Sequence, residues 1–321
     1  MSLVEDLLRR LGDGRPRSRQ QLCRELKASP ESLAAACAEL SALGLPFAES
    51  NAESNANSLQ LQSAIDWLDR ARLEAATAAL GLDLSVSLLC PSTNQSLLSD
   101  LDHRPLPCVL LSEGQSSGRG RRGRSWSSPP GGGVYLSLGW RSPRPLAELA
   151  ALSLIGGMAA ARALNRFELP PVRVKWPNDL QVNGRKLGGC LVDASGSADG
   201  PSELVIGVGI NVRIAAGSTI DQPWTDLHSL GCKADRTSLA IALVTALVED
   251  LRVFDSQGSA ALLAAWPSLD ALADQAVAVS WEDGRQVHGT AAGINHLGQL
   301  RLATDQGELA VHSGDVRVRA A

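Results

Sequence analysis

Residues 172–193 read VRVKWPNDLQVNGRKLGGCLVD, with strand candidates Val172–Trp176 and Leu187–Asp193 on either side of the dipeptide Asn183-Gly184. Asn-Gly tolerates the positive φ angles of a tight two-residue turn, so it marks a hairpin. Further strand candidates are Leu84–Cys90, Cys108–Ser112, Val134–Trp140 and Leu204–Asn211. The alanine- and leucine-rich segments 146–165 and 237–254 read as helices. Strands and helices interleave irregularly, which predicts an α+β layered domain with a mixed sheet over residues 63–272 rather than a strict βαβ series.

The flanks read differently. In residues 1–62, Leu3, Leu7, Leu8 and Leu11 recur at helical spacing before Gly12 and Gly14. Ser18 with Gln21 forms a capping pattern for a second helix, and Ser29-Pro30 opens a third whose stripe is Leu33, Ala36, Cys37, Leu40 and Leu43. Phe47 and Ser58–Leu61 are candidate hairpin arms. This order of elements is that of a winged helix-turn-helix, a common DNA-binding module. In residues 273–321, short strands at Val277–Trp281, Gln286–Gly289, Leu300–Ala303 and Leu309–Val311 alternate with Gly, Asp and Asn turns, which suits a small closed β-barrel.

Composition bounds the function. The 321 residues suffice for two or three domains, and 44% hydrophobic with 20% charged content is ordinary for a globular protein. A formal net charge of -4 argues against a protein that coats nucleic acid. Six cysteines without a C-x-x-C pair fit reduced thiols better than disulfides or a zinc site. No apolar run approaches about 20 residues and the N-terminus lacks a basic start, so the expectation is a cytoplasmic protein without membrane attachment. Of the 30 basic residues only Lys27, Lys175, Lys186 and Lys233 are lysines. Lysine is a compact point charge where arginine is a planar fork, so the lysines mark positions where arginine would not serve.

The chemistry concentrates in four segments of the central region. Ser92-Thr93-Asn94 follows a strand candidate and can cap a helix or hold a ligand. Gly118-Arg119-Gly120-Arg121-Arg122-Gly123-Arg124-Ser125-Trp126, with Gln115 before it, packs four arginines and three glycines into seven residues. Such a loop can close around an anion, either a phosphorylated ligand or a nucleic-acid backbone. Lys175-Trp176-Pro177-Asn178-Asp179-Leu180 precedes the hairpin, and Lys186-Leu187-Gly188-Gly189 follows it. Gly207-Val208-Gly209-Ile210-Asn211-Val212 is a strand whose glycines permit close approach.

In this order and spacing the four segments resemble those of biotin protein ligases. The likeness covers the central domain, and the order of all three regions resembles the bacterial subgroup that couples the ligase to a repressor module. The resemblance implies a central domain like that of class II aminoacyl-tRNA synthetases and a C-terminal SH3-like barrel. It implies an AMP-forming ligase that activates biotin with ATP to biotinyl-5′-AMP and transfers biotin to a lysine of the carrier protein of acetyl-CoA carboxylase. The alternative is a ligase that is also a biotin-responsive DNA-binding repressor.

The same resemblance implies site roles. Lys186, Arg121 and Arg119 are the catalytic positions, with Lys186 the point charge between the biotin carboxyl and the α-phosphate. Biotin falls to Ser92, Thr93, Asn94, Gln115, Gly118, Arg119, Gly120, Arg121, Lys186 and Gly188. ATP and the adenylate fall to Arg121, Arg122, Arg124, Trp126, Lys175, Asn178, Asp179 and Asn211. Magnesium accompanies ATP, with Asp179 near it and no dedicated metal cage. The arginine loop is expected to be mobile until ligand binds. A lipoate-type ligase is the third reading, and the 118–126 loop argues against it. Asp193 stands where the family usually has glutamate and receives no role. Repressor-type relatives pair through a sheet edge, here Leu191–Ser195, as a homodimer.

DNA binding is the doubtful part. Between Lys27 and Arg70 the chain holds no lysine or arginine, while Glu31, Glu39, Glu49 and Glu53 fall in the recognition helix and wing. Phosphate contacts supply most nonspecific DNA affinity, so the expectation is a winged helix that has lost operator recognition.

Overall fold

The computed structural model describes residues 2–48, 57–197, 199–215, 220, 222–313 and 316–320. The wing positions Glu49 and Glu53 lie outside the described residues.

The N-terminal region folds as α1 (Leu3–Leu11), β1 (Arg17–Ser18), α2 (Arg19–Leu26), α3 (Pro30–Ala42) and β2 (Ser58–Leu59). Each helix starts on a serine: the hydroxyls of Ser2, Ser18 and Ser29 accept from the backbone N–H groups of Glu5, Gln21 and Ser32. β1 pairs antiparallel with β2, and a bridge joins Phe47 to Leu61. Leu7, Leu8, Leu11, Leu22, Leu33 and Leu40 fill the local core, which leans on Leu88 and Leu89 of the central region.

The central region supplies α4 (Arg70–Leu80), β3 (Asp83–Cys90), α5 (Thr93–Leu98), β4 (Cys108–Gln115), β5 (Gly133–Ser142) and α6 (Leu152–Leu164). It continues through β6 (Arg173–Lys175), β7 (Asp179–Val182), β8 (Arg185–Gly196), β9 (Ser202–Asn211) and α7 (Arg236–Gln257). The strands form one seven-stranded sheet in the order β3-β4-β5-β9-β8-β7-β6, in which only β3 and β4 run parallel. The mixed sheet expected from the sequence is therefore present. Asn183 and Gly184 turn β7 into β8 with φ of 50° and 74°, the positive angles the dipeptide was read for.

Pleating divides the sheet into two faces. Val134, Leu136, Ile206, Val208 and Cys190 join α6 and α7 in the main core. The alternate positions, Tyr135 and Ser137 on β5 and Gly207 and Gly209 on β9, face the side that carries α5. Register sets Ser137 opposite Gly207 and Gly207 opposite Leu191.

The tail forms β10 (Ala276–Trp281), β11 (Gln286–Ile294), β12 (Leu300–Thr304), β13 (Gly307–Val311) and β14 (Val316–Ala320), an antiparallel sheet ordered β13-β12-β11-β10-β14. Val277, Val279, Ala291, Leu300 and Leu302 share the main core. The Trp176 indole N–H donates to the Gly298 carbonyl at 2.9 Å, tying the tail to the central region.

Some elements depart from the sequence expectation. β7, β14 and α4 were not expected, because each is short or lacks a clean apolar period, while α5 starts at the Ser92-Thr93-Asn94 segment read as able to cap a helix. Segment 146–165 begins with a 3₁₀ turn at Leu146–Ala151. The span Leu146–Leu164 is long and apolar enough to cross a membrane, contrary to the reading of apolar runs, and 67% of its apolar window is buried inside the fold.

Candidate functional site

A cavity of about 990 Å³ opens on the α5 side of the sheet. Every site residue named from the sequence lines it, except Arg122, Lys175 and Gly188. Arg122 reaches instead toward Glu282 of the tail, 3.9 Å away. Lys175 stands at the end of β6 opposite Asp179 in the strand register. Gly188 sits where β8 and β9 close together, a Cβ there falling 2.5 Å from the Gly209 carbonyl.

At one end lies a polar pocket built from the start of α5 and the end of β4. Gln115 Oε1 accepts from the Thr93 backbone N–H at 2.8 Å, and its Nε2 donates to Ser128 Oγ at 2.7 Å. Asn94 Nδ2 donates to Asp193 Oδ2 at 2.9 Å and to the Leu191 carbonyl at 3.3 Å. Ser137 Oγ lies 2.5 Å from Asn94 Oδ1 and 2.8 Å from Thr93 Oγ1. Thr93, Asn94, Gln115, Ser128 and Ser137 are all buried. A polar cluster this far from water holds its geometry only because its members satisfy one another.

Glycine makes room for both halves of the cavity floor. A Cβ at Gly207 would sit 2.0 Å from Asn94 Oδ1, and one at Gly209 would sit 2.8 Å from the Trp126 indole nitrogen. Larger residues at either position would displace the amide or the ring.

Lys186 stands between the polar pocket and the arginine loop. Only 9% exposed, it places Nζ 2.7 Å from Asp179 Oδ1 and 5.3 Å from the centroid of the Trp126 ring. Its backbone is fixed by a strap: Lys186 N–H donates to the Pro223 carbonyl at 3.0 Å, and Thr225 N–H to the Lys186 carbonyl at 2.9 Å. The same strap holds Asn211, whose Nδ2 donates to the Thr225 carbonyl at 3.0 Å. Asn178 Nδ2 donates to the Cys190 carbonyl at 2.7 Å.

The loop is a small hairpin. Gly120 N–H donates to the Arg124 carbonyl at 2.7 Å and Trp126 N–H to the Gly118 carbonyl at 2.8 Å. Arg121 reaches back to Asn178 Oδ1 at 3.4 Å and donates to the Ser313 carbonyl of the tail. The opposite wall comes from the N-terminal region, where the end of α3 and Leu43–Phe47 line the cavity.

Burial tunes two neutral groups here. It pushes the Cys190 thiol up to about 12 and the Tyr135 phenol well above its usual range, so neither ionises near neutral pH. Among the described residues that line the cavity, the fixed charges are cationic apart from Asp179, a set suited to a substrate whose negative charge grows during reaction.

The sequence missed several of these groups. Asp193 and Ser137 reach Asn94 only through strand register. Gln222 and Trp224 line the cavity from a stretch without periodicity, although a tryptophan between polar residues was a usable signal.

Comparison with known proteins agrees with this geometry. The model of the biotin/lipoate A/B protein ligase family matches residues 87–211. The chain is 36% identical over 243 residues to the bifunctional ligase/repressor BirA of Escherichia coli, covering 75% of each chain. It is 32% identical over 237 residues to the biotin–[acetyl-CoA-carboxylase] ligase of Mycobacterium tuberculosis, covering 70% of this chain and 85% of that one. The biotin protein ligase from Aquifex aeolicus, solved in complex with biotin and ATP, superposes with a TM-score of 0.64 at 26% identity, covering 74% of this chain and 99% of the other. The fold and site define an acyl-activating ligase built on a mixed sheet. The chain belongs to the biotin protein ligase family.

Proposed function

We propose that this cavity makes biotinyl-5′-AMP from biotin and ATP and passes the biotinyl group to a lysine of a biotin carboxyl carrier protein. The observation that carries the reading is Lys186, a nearly buried point charge set between the Thr93–Gln115 pocket and the arginine loop. In the first step a biotin carboxylate oxygen attacks the α-phosphorus and the bond to pyrophosphate breaks. In the second the carrier lysine attacks the acyl carbon and AMP leaves with the bond electrons. Lys186 exchanges Asp179 for the carboxylate and α-phosphate, where charge accumulates in the first transition state. Arg119, Arg121 and Arg124 cover the phosphates and, with the loop closed, keep water from the mixed anhydride. Trp126 and Asn211 face the adenine end.

Magnesium bound with the triphosphate would neutralise part of its charge. Asp179 is the one carboxylate among the described cavity-lining residues, and no cluster of three metal-ligating side chains occurs among the described residues. That donor set fits an ion held chiefly by phosphate, with Asp179 its one protein carboxylate.

We take residues 1–62, 63–272 and 273–321 as three units. The order α1, α2, α3 and the β1–β2 pair supports a winged-helix shape for the first. The five antiparallel strands support an SH3-like barrel for the last. The exposed face of α3 presents Glu31, Ser32, Ala34, Ala35, Ala38 and Glu39, which is poor material for phosphates or base edges, so operator binding is not part of this reading. Pairing of β8 with β7 ends at Gly189 and Cys190 still bonds to Asn178, while the pairing of β8 with β9 runs on to Gly196, which leaves Leu191–Ser195 as an edge suited to a homodimer. Six unpaired cysteines support a cytoplasmic setting.

The experiment is a choice between acids. The protein, Mg-ATP and a carrier domain are incubated with biotin or with lipoic acid, and the carrier is weighed by intact mass spectrometry. A biotinyl adduct on the carrier lysine is expected; a lipoyl adduct in its place contradicts the proposal.

A further inference from the structure

We propose that Asp193 is a positioning residue that selects the acid, by fixing through Asn94 and Ser137 which way the Thr93 hydroxyl points. This inference rests on the reading that biotin occupies the cavity. Its basis is a chain of groups whose shortest contacts favour one assignment of protons. A carboxylate and a carbonyl can only accept, so the Asn94 group facing Asp193 and Leu191 is the amide NH₂. Asn94 Oδ1 therefore faces Ser137 and has no proton to give. The single Ser137 proton goes to Asn94, 2.5 Å away. The 2.8 Å contact between Ser137 and Thr93 is then a hydrogen bond only if Thr93 donates.

The other acceptor within reach of the Thr93 hydroxyl is Gln115 Oε1 at 3.3 Å, which has a second lone pair beside its bond from the Thr93 backbone N–H, so on either partner the Thr93 proton is held by the protein. What Thr93 offers a ligand is an oxygen lone pair. A head group with N–H donors, such as a cyclic urea, satisfies it, and a dithiolane ring has no N–H to give. Gly207 belongs to the device, because its missing Cβ is what lets Asn94 lie flat on β9 between Asp193 and Ser137. Ser137 is fully buried and Asn94 is 3% exposed, so water does not scramble the order.

The test measures biotin binding to the full-length enzyme by calorimetry, and KM for biotin and for ATP separately. D193A removes the nearer acceptor and leaves only the 3.3 Å contact with the Leu191 carbonyl to orient the Asn94 amide; biotin affinity is expected to fall about tenfold while KM for ATP stays within twofold. D193N keeps an oxygen that accepts from Asn94 and is expected to restore most of that loss. S137A cuts the chain in the middle, guards against a D193A protein that fails to fold, and should make a second D193A change nearly silent. The proposal is overturned if D193A binds biotin like wild type, or if D193A and D193N are equally impaired, or if the KM values for biotin and ATP rise together. Wild-type protein that takes up no biotin removes the underlying reading as well.

Discussion

Lys186 illustrates why residue identity matters more here than charge. In a chain with 26 arginines, a lysine occupies the one buried cationic position beside Trp126 and Asp179. A guanidinium is larger, planar and wants two partners, and the space against the Trp126 ring accommodates a point charge. Gly209 shows the complementary demand for nothing at all. Gly209→Ala places a methyl 2.8 Å from the Trp126 nitrogen. The ring must move, and KM for ATP is expected to rise about tenfold or more in steady-state kinetics while biotin affinity holds. An unchanged KM for ATP would remove Trp126 from the adenine end. The places of Lys186, Arg121, Gln115 and Asn211 along the cavity were legible because each lies in or beside a motif that resembles those of the family. Asp193 and Ser137 were not, because their meeting at Asn94 is decided by sheet register, which no local pattern encodes.

Among the elements, the arginine loop and α7 make separable demands. Asn183-Gly184 gave away the β7–β8 hairpin even though β7 itself, four residues long, carries too few apolar positions to read as a strand. The loop was legible as chemistry yet not as a hairpin, because its Arg119–Ser125 bridge depends on backbone hydrogen bonds alone. Four arginines there are four trypsin sites. Limited proteolysis is expected to cut within 119–124 in the unliganded protein and to slow at least severalfold with biotin and ATP, which hold the loop closed. α7 begins on Asp235. Burial raises the Asp235 carboxyl, but hydrogen bonds from Ser238 and Arg72 outweigh it and hold the group below the usual carboxylate range. A depressed folded-state pKa means stability that is complete above the ordinary value and lost as pH falls through the folded one. Acid unfolding of Asp235→Asn is therefore expected to be less steep below about pH 4 than that of wild type, when followed by circular dichroism across a pH series.

Across the whole molecule, one buried ion pair joins the parts. Arg236 and Glu113 are 1% and 5% exposed and meet at 2.5 Å. Arg236 also donates to the carbonyls of Asp66 and Gly133, and Glu113 accepts from the Leu68 N–H. The chain leaving the N-terminal region is thereby pinned to β4, β5 and α7 at once. Arg236→Met leaves Glu113 charged, buried and without its cation; a loss of about 3–5 kcal/mol is expected in urea unfolding, more than any exposed pair here could cost. Changes in periodicity along the sequence led to the expectation of three regions, but the clamp was not visible, since an arginine opening a helix looks like ordinary surface charge. Nor did the sequence show that the end of α3 forms a cavity wall, a contact made only after the regions pack. In the proposed reaction Lys186 carries the charge through which biotin is activated. Transfer of labelled biotin to a carrier domain with Mg-ATP, wild type beside Lys186→Ala, tests that claim most directly. The expected result is ATP-dependent labelling that falls by about 10²–10³ in rate in the variant. Labelling by Lys186→Ala at the wild-type rate would contradict it.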